Sequence, residues 1–175
     1  MSPGAAQPAL EIGPPDDDEV DALGDAVVAA YRSVDPVGRA GYLAEVHDVR
    51  TRARTPGMTV LAARLDGEPV GCCTVVLAGE DRDHGGELEP DTAVLRMLGV
   101  APAFHGRGVG RALVSAALEV ARAAGKSRLE LFTEEAMRAA QSLYMSLGFV
   151  RVRELDWTVP DGGPRLLGFT RDLGA

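Results

Sequence analysis

The sequence predicts an α/β (α+β) domain, a mixed and mostly antiparallel sheet of about six to seven strands flanked by about four helices. Three observations carry that prediction. Two β-rich runs at 58–65 and 69–78 are separated by Asp66-Gly67-Glu68, a strong signal for an antiparallel hairpin. A third run at 93–100 leads through a glycine-rich turn into an amphipathic helix at 108–124, where Val109, Leu113, Ala117 and Val120 form an apolar stripe closed by Gly125. The order of elements does not alternate regularly enough for a doubly wound sheet, because two helices and then a block of antiparallel strands come before the strand-helix units.

Residues 1–8, rich in Pro, Gly and Ala, read as a loose tail, which leaves 9–175 as a single domain. Leu10 and Ile12 suggest a short first strand, and Pro14-Pro15-Asp16-Asp17-Asp18 breaks the chain before a helix with Val20, Leu23, Val27, Val28 and Tyr31 on its apolar face. Asp35-Pro36 ends that helix. A second helix is expected over residues 39 to about 54, stopping before Pro56-Gly57. After the crossover helix, 128–132 reads as a strand, 133–147 as a helix ended by Gly148, and 149–157 and 166–173 as the last two strands.

A chain of 175 residues with 46% hydrophobic and 25% charged residues has ordinary globular composition and is long enough for one sizeable core. No apolar run is long enough to span a bilayer, and the N-terminus lacks the basic start and apolar stretch of a secretory signal, so the expected location is the cytoplasm with no membrane partner. Cys72 and Cys73 are adjacent and read as reduced strand residues. His47, His84 and His105 lie in different segments without ligand spacing, so no metal is expected. The net charge of −8 belongs entirely to residues 1–48, which hold ten acids and two arginines. Nucleic acid, which needs a basic surface, is excluded as a partner. Self-association as a homodimer is left open.

The most informative stretch is His105-Gly106-Arg107-Gly108-Val109-Gly110-Arg111, between a strand and an amphipathic helix. Its glycines allow a tight turn with exposed backbone N–H groups at the positive end of a helix dipole, and Arg107 and Arg111 add charge, which suits a pyrophosphate. Two other phosphate motifs fail by counting. A dinucleotide fingerprint needs glycine where Arg111 or Leu113 stands, and a Walker A loop ending at Gly125-Lys126-Ser127 needs glycine where Val120 stands.

The turn resembles the acyl-CoA loop of the GNAT superfamily of N-acetyltransferases, in which Gln or Arg is followed by two residues, Gly, any residue, then Gly or Ala. Here His105 occupies the first position and Gly108 and Gly110 the later ones. Leu98-Gly99-Val100 resembles the family's bulged strand that pairs with the pantetheine arm. The run from Ala140 to Phe149 is similar to its A-x-x-L-Y-x-x-L-G-F signature, and the order of elements agrees from about Leu10 to Leu173. The resemblance implies acetyl-CoA as cosubstrate, held by residues 98–100 and 105–111 (Leu98, Gly99, Val100, His105, Gly106, Arg107, Gly108, Val109, Gly110 and Arg111), and a primary amine as acceptor. It implies that Tyr144 protonates the departing thiolate, since a phenol with a pKa near 10 keeps its proton at neutral pH.

Two positions depart from the pattern. Met137 stands where many members have Asn, and the strand Thr92-Ala93-Val94-Leu95-Arg96-Met97 carries no acid where many have a general base, so the base is unassigned. Arg96 either pairs with an acid such as Glu130 or Asp156 or binds a carboxylate on the acceptor. Asp156 and Trp157, near the Pro/Gly loop at 160–164, are candidates to line the acceptor pocket. In the family the first two helices lie over the acceptor side, so the acidic segment predicts a cationic small molecule or peptide. The alternative is a non-catalytic acyl-CoA-binding module. A nucleotide-binding protein is a weaker rival.

Overall fold

The computed structural model describes residues 9–79 and 87–174. His84 and the tail at residues 1–8 lie outside them. The order is β1 (Leu10–Gly13), α1 (Val20–Val34), α2 (Ala40–His47), α3 (Val49–Arg54), β2 (Met58–Leu65), β3 (Glu68–Val76) and β4 (Thr92–Val100). Then follow α4 (Val109–Ala123), β5 (Arg128–Glu134), α5 (Arg138–Ser146), β6 (Val150–Arg151), β7 (Trp157–Thr158) and β8 (Arg165–Asp172). The strands form one sheet in the order β1-β2-β3-β4-β5-β8-β6, with β7 also on β8. Among the described residues only β4 and β5 pair in parallel, as a strand-helix-strand crossover through α4 requires.

Helices cover both faces, and β3 shows how. Cys73 and Val75 point into the core under α4, packed with Leu113, Ala117 and Leu131, whereas Cys72 points the other way, with Val27, Val46 and Met97, under α1 to α3. The two thiols are thus adjacent strand residues on opposite faces, both buried and free. On α1, Val20, Leu23 and Val27 form the buried stripe. The helix can approach the sheet closely because β4 has Gly99 beneath it, where a Cβ would lie 2.7 Å from Val27 Cγ1.

Three expectations are corrected. The single helix at 39–54 is two, because the chain turns at Asp48, whose carboxylate accepts from Thr51 N–H at 3.0 Å and starts α3. The strand at 128–132 runs on to Glu134 and the helix starts only at Arg138, since β5 keeps pairing with β8 out to Glu134 opposite Leu166. The strand at 149–157 is two short pieces separated by a 3-10 turn at Arg153–Leu155. The result, among the described residues, is eight strands and five α-helices.

The α5 signature has a plain structural meaning. Tyr144 is buried by the sheet, with ring centroids 5.9 Å from Phe149 and 6.4 Å from Phe169. Gly148, at φ 82°, reverses the chain so that Phe149 N–H donates to Tyr144 O at 3.1 Å. Helix end, aromatic pair and strand start are therefore fixed by one short run.

Candidate active site

The bulge in β4 sets up the site. Between pairs Cys72–Gly99 and Thr74–Arg96, β4 carries one more residue than β3, and Met97 takes the left-handed conformation at φ 51°. Side chains before and after it are re-aimed: Leu95 and Leu98 both pack toward α4, while Met97 joins the core under α1. On its other edge β4 pairs with β5 only as far as Leu95 opposite Leu131, so the edge of Arg96 to Val100 is not taken up by β5.

Past the bulge lies a cavity of about 510 Å³. Its lining brings together Leu98, Gly99, Val100, His105, Gly106, Gly108, Val109, Gly110 and Arg111, with Ala140 and Leu143 of α5 opposite. Gly108 is the residue before α4, at φ 80° and ψ 3°, and no side chain caps the helix there. The first N–H groups of α4 are thus available to an anion. His105 Nε2 lies 2.7 Å from Val100 O and ties the turn to the end of β4. Arg111 Nη2 donates to Ser146 Oγ at 2.7 Å, anchoring α4 to α5. Arg107 does not line the cavity; its guanidinium lies 5.4 Å from the Phe104 ring centroid.

A second cavity, about 700 Å³, opens between β4, β5 and the α1–α2 side. Arg96 and Trp157 line it with Tyr31, Tyr42, Arg39, Glu45 and Glu134. Asp156 does not. Its carboxylate accepts from Arg151 at 2.6 Å, Arg165 at 2.9 Å and Gly168 N–H at 3.0 Å, so it holds the β7–β8 hairpin and is not presented to an acceptor. These donors depress its pKa to about 2, the Arg151 hydrogen bond foremost.

Tyr31 and Met137 line both cavities and so mark where they meet. The sequence placed Tyr31 only on the apolar face of α1. A polar-tipped aromatic at the end of that face was the available signal. Burial pushes its phenol pKa well up, and Tyr42, with a ring centroid 5.9 Å away, adds to the effect. Tyr144 lines neither cavity. It is 6% exposed, and its hydroxyl makes no hydrogen bond to a described residue and keeps some solvent access. Burial raises its pKa too, so it is protonated at pH 7.

Four of the ten acids of residues 1–48 are paired away from the two cavities. Asp17 pairs with Arg50 at 3.6 Å and Arg54 at 3.0 Å, Asp16 and Glu19 pair with Arg64, and Asp25 pairs with His47 at 3.1 Å. Among the described acids of that segment, Glu45 lines the larger cavity and Asp35 a neighbouring one, both in the company of arginine.

Residues 22–149 match the model of the acetyltransferase (GNAT) family. The chain belongs to that family. Among similar curated proteins, a mycothiol acetyltransferase of Beutenbergia cavernae is 46% identical over 65 residues, 36% of this chain and 22% of that protein. An N-acetylaspartate synthetase of Danio rerio is 34% identical over 105 residues, 59% of this chain and 34% of that protein. The chain thus spans about a third or less of the curated relatives it matches. The GNAT fold recurs in an acetyltransferase of Staphylococcus aureus Mu50, with a TM-score of 0.73 at 14% identity, covering 95% of this chain and 100% of the other. It recurs in a Salmonella typhimurium protein solved with acetyl-CoA, with a TM-score of 0.64 at 22% identity and 95% of each chain covered.

The residues present would fit an acyl-CoA. Uncapped N–H groups at a helix start, where Gly106 and Gly108 leave the space above the backbone open, suit a pyrophosphate. A β4 edge that β5 leaves unpaired suits the amides of a pantetheine arm.

Proposed function

We propose that this GNAT protein transfers the acetyl group of acetyl-CoA to a primary amine of a small molecule or peptide by direct attack. The observation that carries this reading is the meeting of two cavities at Tyr31 and Met137, one lined by the glycine turn and the other by aromatic and charged side chains. A scaffold that only bound acyl-CoA would have no use for the second. The matched relatives named mycothiol acetyltransferase and N-acetylaspartate synthetase support acetyl transfer without fixing this chain's acceptor.

In this mechanism the thioester carbonyl lies beside the β4 bulge, where backbone N–H groups at Leu98 to Val100 stabilise the developing oxyanion. Tyr144 donates a proton toward the departing sulfur. The aromatic rings of Tyr31, Tyr42 and Trp157 enclose the apolar part of the acceptor. Its charged part meets a lining that holds both acids, Glu45 and Glu134, and arginines, Arg39 and Arg96, which suits an amine that carries a second polar group better than a bare polycation. The protein works in the cytoplasm.

Calorimetric titration with acetyl-CoA, CoA and ATP tests the cofactor cavity; binding of both CoA species but not ATP is expected. Thiol release with spermidine, L-lysine, L-aspartate and L-phenylalaninamide, at two ionic strengths, tests the acceptor. Acetyl-CoA binding without thiol release from any amine would favour the non-catalytic module.

A further inference from the structure

The strand from Thr92 to Met97, which lines the acceptor cavity through Leu95, Arg96 and Met97, has no acid. We infer that Glu134, the last residue of β5, takes the proton that the acceptor amine loses before attack. The inference rests on the acetyl-transfer reading above and adds a residue to it.

The placement is set by the alternation of β5. Leu129, Leu131 and Thr133 are buried toward α4, so Glu130, Phe132 and Glu134 belong to the opposite face, where α1 and α2 cover the acceptor cavity. Glu134 lines that cavity and also the adjoining one of about 330 Å³, and it shares both with Tyr31 and Met137, the two residues that border the cofactor. It therefore stands beside the passage between amine and thioester.

Availability separates Glu134 from the other acids. Asp156 and Glu19 are each held by arginine. Glu45, the other carboxylate lining the acceptor cavity, is exposed. Glu134 is half-buried, and its carboxylate makes no hydrogen bond or ion pair with any described residue. Its backbone, by contrast, is fixed: Gln141 Nε2 donates to Glu134 O at 3.1 Å, which ties the strand end to α5. A rigidly mounted carboxylate whose proton-accepting atoms are unused is the arrangement a base needs.

The surrounding charges agree. Burial raises the Glu134 pKa first, Asp35 raises it further, and Arg39 lowers it. Tyr31 of α1, Tyr42 and Glu45 of α2 and Arg96 of β4 also line the same cavity. A carboxylate made more basic in this way is a better proton acceptor than an exposed glutamate.

In the step itself, one proton passes from the ammonium to a Glu134 carboxylate oxygen. The freed nitrogen lone pair forms the C–N bond at the thioester carbonyl. As the tetrahedral intermediate collapses, the C–S electrons go to sulfur. A second proton leaves nitrogen and one is supplied to the thiolate, so the products are amide and thiol, and Glu134 returns its proton to water.

The test compares wild type, Glu134→Gln and Glu134→Asp across a pH series, with acetyl-CoA and whichever of the four amines above wild type acetylates. Expected is an unchanged acetyl-CoA affinity with kcat/KM of Glu134→Gln down by roughly 10² to 10⁴ at pH 7, a deficit that shrinks as pH approaches the amine's own pKa and free amine appears without help. Glu134→Asp should recover part of the loss. A deficit equal at every pH, or none, would overturn the inference while leaving acetyl transfer intact. If wild type acetylates no amine, the acetyl-transfer reading falls and the inference with it.

Discussion

The glycine turn permits a matched-pair experiment. Gly108 has φ 80° and a Cβ placed on it would meet nothing within 4 Å, and Gly67, in the β2–β3 hairpin, has φ 82° with equally open space. Alanine at either site meets no neighbour and suffers only the left-handed backbone penalty, about 1–2 kcal/mol. For a domain of this size that lowers Tm by roughly 2–8 °C in both variants. The two should part company in cofactor binding. At Gly108 the added methyl stands at the opening of α4 and at the wall of the 510 Å³ cavity. Losing one hydrogen bond to a charged phosphate costs about 1.5–3 kcal/mol, or roughly ten- to a hundredfold in Kd. Calorimetry with acetyl-CoA on Gly108→Ala and Gly67→Ala, alongside thermal melts, reads both quantities. Equal melts with an affinity loss only in Gly108→Ala are expected. Unchanged affinity in Gly108→Ala, or the same loss in Gly67→Ala, would refute the idea that the turn cradles the pyrophosphate.

Tyr144→Phe removes one hydroxyl and keeps the packing against Phe149 and Phe169; turnover should fall by roughly 10² to 10⁴ with acetyl-CoA affinity unchanged. If instead Tyr31→Phe shows that loss and Tyr144→Phe does not, the phenol shared by the two cavities is the proton donor. Asp156 titrates in the folded protein at about 2, below its ordinary 3.8, so the stability it lends is full above that ordinary value and is lost as pH falls toward 2. Asp156→Asn should therefore flatten the acid limb of a Tm-against-pH curve, and an unaltered limb would argue against the Arg151–Asp156–Arg165 cluster.

Much of this molecule can be read from its residues because the signals are local. Asp66-Gly67 fits a tight hairpin wherever it stands, and both residues do take positive φ, 52° and 82°. The run Gly106 to Gly110 announces a tight turn into an uncapped helix start through backbone conformation alone, and Tyr144 to Phe149 encodes a helix end and an aromatic pair within one turn. Tertiary contact decided the rest. Residues 133–137 have the composition of a helix start, but pairing with β8 holds Glu134 in strand, and that pairing places its carboxylate in the cavity. Tyr31 and Met137 lie far apart in the chain and meet only when α1 packs on the sheet. The destination of the acidic residues was likewise invisible, because Asp17, Glu19 and Asp25 find their arginine and histidine partners through folding. A local motif depends on a few consecutive torsions and survives in any context, whereas a shared cavity depends on which distant surfaces bury one another.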